Sequence, residues 1–216
     1  MSQTRIKGPA RRERLLDAAA EIALAHGVAA VTMDGVAALN GVNRAIAYRY
    51  FTDRDDMLAT LLDREYRRQT HLIAEALGPD RTFEQWLRFA LGHWFQHGEL
   101  FMRLYNDHGP LAAKAEAIRR ADSRVWATEM QRVFGLRRRT ALHLASFMVA
   151  GAAGAMEIRN GTDDDAIINN VTLSVLAAAQ ALSAVDKTSR SQARRSPTQR
   201  FGSDEARTHV GHTNVT

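Results

Sequence analysis

The sequence predicts an all-helical chain, and three observations predict it. Alanine is abundant, and no run of alternating β-branched residues marks a strand. Apolar residues recur at helical spacing along most of the chain. The four prolines, at positions 9, 79, 110 and 197, all stand where a helix would begin or end, and Gly78 and Gly109 adjoin two of them. About nine helices are expected, with no internal repeat.

Taken in order, helix one spans about Arg11 to His26. Its apolar positions Leu15, Ala18, Ala19, Ile22 and Ala25 follow helical spacing, and Gly27 stops it. Thr32 caps a short helix with Asp34 in its first turn, ending near Leu39. Asn40-Gly41 makes a tight turn, because both residues tolerate left-handed backbone. Asn43 then caps a helix from Arg44 to about Tyr50. Asp53, with Asp55 and Asp56, opens a long helix to about Leu77. Four more follow: Thr82 to about Gln96, Glu99 to about Asn106, Leu111 to Phe134 closed by Gly135, and Thr140 to Arg159 closed by Asn160-Gly161. Asp163 to Asp165 place negative charge at the start of the last helix, which ends near Val185.

The 216 residues suffice for one or two compact domains. Hydrophobic residues make up 45% and charged residues 25%, an ordinary globular balance. Cysteine is absent, which excludes disulfides, thiol catalysis and thiolate metal sites and fits a cytoplasmic protein. Met1 to Ala10 has no apolar stretch, so no signal peptide is expected. Ala166 to Val185 is long enough to cross a bilayer, but Asn169, Asn170, Thr172, Ser174, Gln180 and Ser183 favour a helix buried among protein helices, and no membrane partner is expected. Net charge is +5, and both ends of the chain are basic, which suits either a polyanion partner or simple solubility. Residues 186–216 are rich in Ser, Thr, Arg, Gly and Gln and are expected to be a disordered basic tail.

Residues 32–51 carry the strongest chemical signal. Val42, Ala47 and Phe51 point back toward Ile22, Val36 and Ala37, which leaves Arg44, Ala45, Tyr48 and Arg49 outward. Arginine can fork onto O6 and N7 of guanine, and a small residue such as Ala45 lets backbone approach the bases. Tyrosine hydroxyls and capping side chains such as Thr32 and Asn43 contact phosphates and set register. Ile46 is either core or a contact to a thymine methyl group. A generic helical hairpin with a hydrated arginine face is the competing reading of this spacing.

The segment Leu15-Leu16-Asp17-Ala18-Ala19 through Gly27, then Thr32, Val36-Ala37, Gly41-Val42, Tyr48, Phe51 and Arg54, resembles the N-terminal domain of TetR-family transcriptional repressors. The resemblance covers about Arg11 to Leu62. It implies a three-helix helix-turn-helix DNA-binding domain, residues 11–71, joined through the long fourth helix to a ligand-binding and dimerisation domain, residues 72–185. It also implies a homodimer that reads a palindromic double-stranded operator in successive major grooves, and an unknown small-molecule effector that releases it. By position, Asn43 stands for a phosphate-contacting serine, Arg44 and Ala45 for the base-contacting pair, and Tyr48 for a phosphate-contacting tyrosine. Arg49 and Tyr50 replace an aromatic or histidine pair near the DNA backbone, and Arg54 stands for the lysine that opens the fourth helix. Gly35, Asn40, Ala23 and Ala47 depart from the family pattern.

Trp86, Phe89, Trp94, Phe101, Met102, Tyr105, Trp126, Met130, His143 and Phe147 are candidates to line a largely apolar effector cavity, against the alternative of ordinary core. Phe147, Ala150, Gly151, Gly154 and Ile158, with Ser174 and Ala178 of the last helix, are candidates for a four-helix dimer seam, because small side chains let helices approach closely. His93 and His97 lie one turn apart but lack further ligands, and no metal or cofactor is expected. Nothing in the sequence forms a catalytic set, so an enzyme is not expected. A helical architectural nucleic-acid binder without a ligand is the main alternative, and a helical enzyme a lesser one.

Overall fold

The computed structural model of the protein describes residues 8–76, 78, 80–157 and 163–195. Among the described residues there are nine α-helices and no strand. Helices α1 (Pro9–His26), α2 (Met33–Leu39) and α3 (Arg44–Ala47) form the N-terminal unit, with a 3-10 turn at Val28–Ala30. Helix α4 (Arg54–Ala76) leads into α5 (Phe83–His97), α6 (Glu99–Tyr105), α7 (Ala112–Phe134), α8 (Arg138–Glu157) and α9 (Asp164–Arg195).

The two expected caps, Thr32 and Asn43, form, and others join them. The Thr32 hydroxyl accepts from the Gly35 amide and the Asn43 carboxamide from the Ala45 amide. At α4, Asp53 accepts from the Asp56 amide and Asp56 in return accepts from the Thr52 amide. Thr82 and Gln85 exchange bonds in a capping box at α5. Gly135 ends α7 at φ 68°, a conformation that costs glycine little. Helix α1 starts two residues early, at Pro9, whose missing N–H would have had no partner there.

The core of the N-terminal unit is Leu15, Leu16, Ala19 and Ala23 of α1, Val36 and Ala37 of α2, Ala47 and Phe51, closed by Met57, Leu58, Leu61 and Leu62 of α4. Each large side chain buried there contributes about 1.5–3 kcal/mol relative to exposure. Ile22 and Val42 pack against it, as their spacing predicts. Two of the family departures have local reasons. Asn40 donates to the carbonyls of Arg14 and Val36, bracing α1 on α2. Gly35 leaves room for the Thr32 cap, because a Cβ there would sit 3.0 Å from the Thr32 hydroxyl oxygen.

Three expectations need correction. Helix α3 ends at Ala47, not Tyr50, because residues 48–51 tighten: the Arg49 amide bonds Ile46 and the Tyr50 amide bonds Ala47, which turns Phe51 into the core. Helix α9 runs to Arg195, ten residues past the boundary expected at 185. Its extension is tied down, since the buried Asp186 accepts from the Arg137 amide (2.7 Å) and guanidinium (2.6 Å), and Ser183 donates to the Phe134 carbonyl. Thr188, Ser189 and Ser191 turn their hydroxyls onto carbonyls one turn back, so the polar composition does not stop the helix. The rest of the expected tail, 196–216, lies outside the described residues. Thirdly, α9 is buried on one face only: Thr172, Val175 and Ala179 face inward, while Leu173, Ser174, Ala177 and Val185 are exposed. Residues 164–189 are long and apolar enough to cross a membrane by length and composition, at mean hydropathy 1.4, but this helix packs on α5, α7 and α8 within the bundle.

Helices α7 and α8 form the most extensive packing pair, and α9 lies against both and against α5. Helix α4 joins the two parts. It packs on α1 at one end and on α5 and α6 further along, and the Tyr66 hydroxyl donates to Asp122 of α7 at 2.8 Å.

Candidate nucleic-acid interface

Helix α3 is one turn long, so nothing but its caps and its buried side can fix it. Asn43 closes its N-terminus and Ala47 is fully buried beneath it. Thr32, Asn43, Arg44, Ala45, Tyr48 and Arg49 are exposed around it, and Ile46 is half-buried. The Arg44 guanidinium donates to Asp34 at 2.9 Å and to the Tyr48 hydroxyl at 2.9 Å, and it lies 5.1 Å from the Tyr48 ring centre. The Tyr48 hydrogen bond, then the Asp34 charge, hold this guanidinium above its ordinary pKa, so it stays cationic. Two partners on one exposed arginine restrain it before any ligand arrives, which lowers the ordering cost of binding.

Two of the expected contact residues face elsewhere. Arg54 donates to the carbonyls of Val31 (2.6 Å), Val28 (2.9 Å) and Ala29 (3.3 Å) and pairs with Asp55. It pins the loop between α1 and α2 onto the start of α4. Tyr50 packs against the core, and its hydroxyl accepts from the Gly8 amide, anchoring the start of α1. Both act on the position of α3 rather than presenting a group beside it.

The aromatic set divides into separate groups. Trp94, Phe101, Met102 and Tyr105 do meet, together with Val149, Ala152 and Ala153, around a cavity of about 10 Å³, the room of one water molecule. Trp86 and Trp126 instead stack on each other at 3.9 Å between α5 and α7, with Phe83 edge-on to both and Phe134 edge-on to Phe83. Phe89 stacks on His93, and Met130 is fully buried. His143 lies apart, in an open groove of about 470 Å³ with Arg137, Arg139, Thr140, Leu144 and Leu182. Phe147 is 72% exposed and lines neither of these two spaces. It shares an outward face of α8 with Ala150, Gly151 and Gly154, and exposed Ser174 and partly buried Ala178 lie on α9. Ile158 lies outside the described residues.

The sequence reading passed over Tyr66, Asp122 and Phe83. Asp122 is 9% exposed and accepts from Tyr66 and from Tyr105 (3.2 Å). Burial pushes its pKa up to about 6, against the lowering effect of the two phenols. The signal was present, because Asp122 falls on the buried stripe of α7 between Ile118 and Trp126. No group of three or more metal-ligating side chains occurs among the described residues.

Residues 15–61 match the family model described as bacterial regulatory proteins, tetR family. No curated protein matches the chain in sequence. Among solved structures, the chain is similar to a putative TetR-family transcriptional regulator from Syntrophomonas wolfei str. Goettingen, with a TM-score of 0.66, 16% identity, and coverage of 80% of this chain and 96% of that one. It is also similar to the fatty acid degradation regulator FadR from Bacillus halodurans (TM-score 0.64, 17% identity, 80% and 97% covered). A third is the multidrug binding protein EbrR, complexed with imidazole (TM-score 0.57, 19% identity, 76% and 94% covered). The neighbours share the fold over most of the described bundle, and the match over residues 15–61 identifies a TetR-type N-terminal domain.

Proposed function

We propose that this protein is a TetR-type transcriptional regulator, a homodimeric repressor that binds a palindromic operator and leaves it when a small, mostly apolar effector enters the C-terminal bundle. The observation that carries the reading is the open cationic face of α3. Arg44 on α3, with Tyr48 and Arg49 in the turn that directly follows it, stands exposed, while the helix's other side is locked into the core. Such a face fits the major groove, where the arginines would read base edges and Tyr48, Asn43 and Thr32 would grip phosphates.

A twofold assembly is supported by α8 and α9. Phe147, Leu173 (51%) and Val185 (58%) are exposed on them, next to small residues that permit close helix approach. A four-helix seam between two copies would cover these side chains and carry two α3 helices at the spacing of successive grooves. An effector site is supported by the cavity among Trp94, Phe101, Met102 and Tyr105, which must open to admit a ligand, and by the multidrug-binding and fatty-acid-related neighbours.

Selection of bound duplexes from a random pool tests this reading. A repressor enriches one inverted repeat, and Arg44→Ala loses that enrichment. Recovery of duplexes without any shared sequence would contradict it and favour an architectural binder.

A further inference from the structure

We propose that the effector is an organic cation, an amine or quaternary ammonium bearing apolar groups, that enters the cavity between α5, α6 and α8 and whose charge is received by Asp122 behind Tyr105. This rests on the effector reading given above and names the ligand's class.

Three carboxylates are buried among the described residues, and two of them have cationic partners. Glu65 is paired with Arg64 at 3.0 Å and Asp186 with Arg137 at 2.6 Å. Asp122 has no such partner: its two oxygens receive only the Tyr66 and Tyr105 hydroxyls. A buried carboxylate is costly without a cation. If the group served only to lock α4, α6 and α7 together, an uncharged amide would do so with less desolvation. The charge is thus unexplained by packing.

Its surroundings suit a cation that carries hydrocarbon. Tyr105 both lines the cavity and donates to Asp122, so the carboxylate lies one phenol away from the space. Phe101 lies 5.0 Å from Tyr105 and 6.2 Å from Tyr66 by ring centres, and Trp94 completes an aromatic wall whose faces attract cations. Met102, unbranched and flexible, is the side chain best able to move aside as the space enlarges. The nearby cation, Arg119, is already engaged: it pairs with Glu116, donates to the Tyr105 carbonyl and lies 5.6 Å from the Tyr105 ring centre.

The test uses the full chain and three probes with one ten-carbon tail: decyltrimethylammonium, decanol and decanoate. Binding is read by tryptophan fluorescence, since Trp94 lines the cavity. The cation is expected to bind at least about tenfold more tightly than decanol, and decanoate more weakly than both. Asp122→Asn should remove about tenfold or more of the cation's affinity and leave decanol within about twofold. In the wild type, cation affinity should rise from pH 5 to pH 7 as the carboxylate ionises. Tyr66 from α4 and Tyr105 from α6 face that group, Arg119 lies one turn back on α7, and His93 on α5 is a further titratable group, held below its ordinary value by burial, so the loss of the rise in Asp122→Asn assigns it. If that variant does not fold, the ranking of probes and its pH dependence in wild type decide alone. Equal or tighter binding of decanol or decanoate overturns the proposal and leaves the effector cavity standing. Failure of all three probes to bind overturns both.

Discussion

Gly35 offers a sharp test of how the N-terminal unit is held. Glycine inside a helix usually costs about 1 kcal/mol relative to alanine, so Gly35→Ala would ordinarily stabilise α2 by that amount. Here the new Cβ would sit 3.0 Å from the Thr32 oxygen, which accepts the Gly35 amide at 3.0 Å. To relieve the crowding the hydroxyl must turn away, and a lost N-cap costs about 1 kcal/mol. The two effects nearly cancel, so Gly35→Ala should change stability by only a few tenths of a kcal/mol. In a Thr32→Ala background the cap is already gone, and the same change should stabilise by about 1 kcal/mol. The double-mutant cycle therefore carries a coupling of about 1 kcal/mol. Urea unfolding at fixed protein concentration measures all four variants. A full 1 kcal/mol gain in the single variant, with no coupling, would refute the idea that glycine is there to admit the cap.

Four further outcomes follow from the geometry. Arg44→Ala should weaken binding to a selected duplex by about 1–3 kcal/mol and relax preference at one base position, as read by fluorescence anisotropy against single-base variants. Arg54→Met, which strips three carbonyls of a charged donor, should lower stability by about 2–3 kcal/mol in urea, while the folded fraction keeps its salt dependence of DNA binding. Asp122 has a folded pKa near 6, above the ordinary 3.8, so the folded state holds its proton more tightly than the unfolded chain does. The stability it contributes is full below about pH 4 and is lost as pH rises through 6; at pH 7.5 Asp122→Asn should be more stable than wild type by an amount on the order of 2–3 kcal/mol, and at pH 4 no more stable, which thermal unfolding across pH checks. Phe147→Glu should convert a sedimenting dimer to a monomer without unfolding it, because the side chain is 72% exposed on a single chain; an unchanged dimer would place the seam elsewhere.

Much of this fold was legible because the signals are local. Caps at Thr32, Asn43, Asp53, Thr82 and Asp163 are written in one residue each, and the structure uses all of them. The buried set Val36, Ala37, Ala47 and Phe51 follows from spacing alone. Direction was harder to read. Arg54 and Tyr50 stand at the expected positions, but their long side chains fold back onto carbonyls of residues 28–31 and onto Gly8, contacts that no local pattern encodes. His143 and Phe147 show the same limit: a polar ring and an apolar one suggested a cavity lining, whereas their helical phase, shared with Ala150, Gly151 and Gly154, turns them outward. The extension of α9 depends on Asp186 meeting Arg137, a partner 49 residues away. Asp122 could have been found, since an acid on an otherwise apolar stripe at positions 115, 118, 122, 126 and 130 is a departure worth explaining.

The central claim is that two α3 helices, one from each of two joined copies, grip one duplex together. Analytical ultracentrifugation of the chain with the selected inverted repeat, alongside a duplex carrying one half of it, measures this directly. Two protomers should sediment on the full repeat, with the half-site bound far more weakly and Arg44→Ala bound to neither. A single protomer that binds the half-site as tightly as the full repeat would contradict the account.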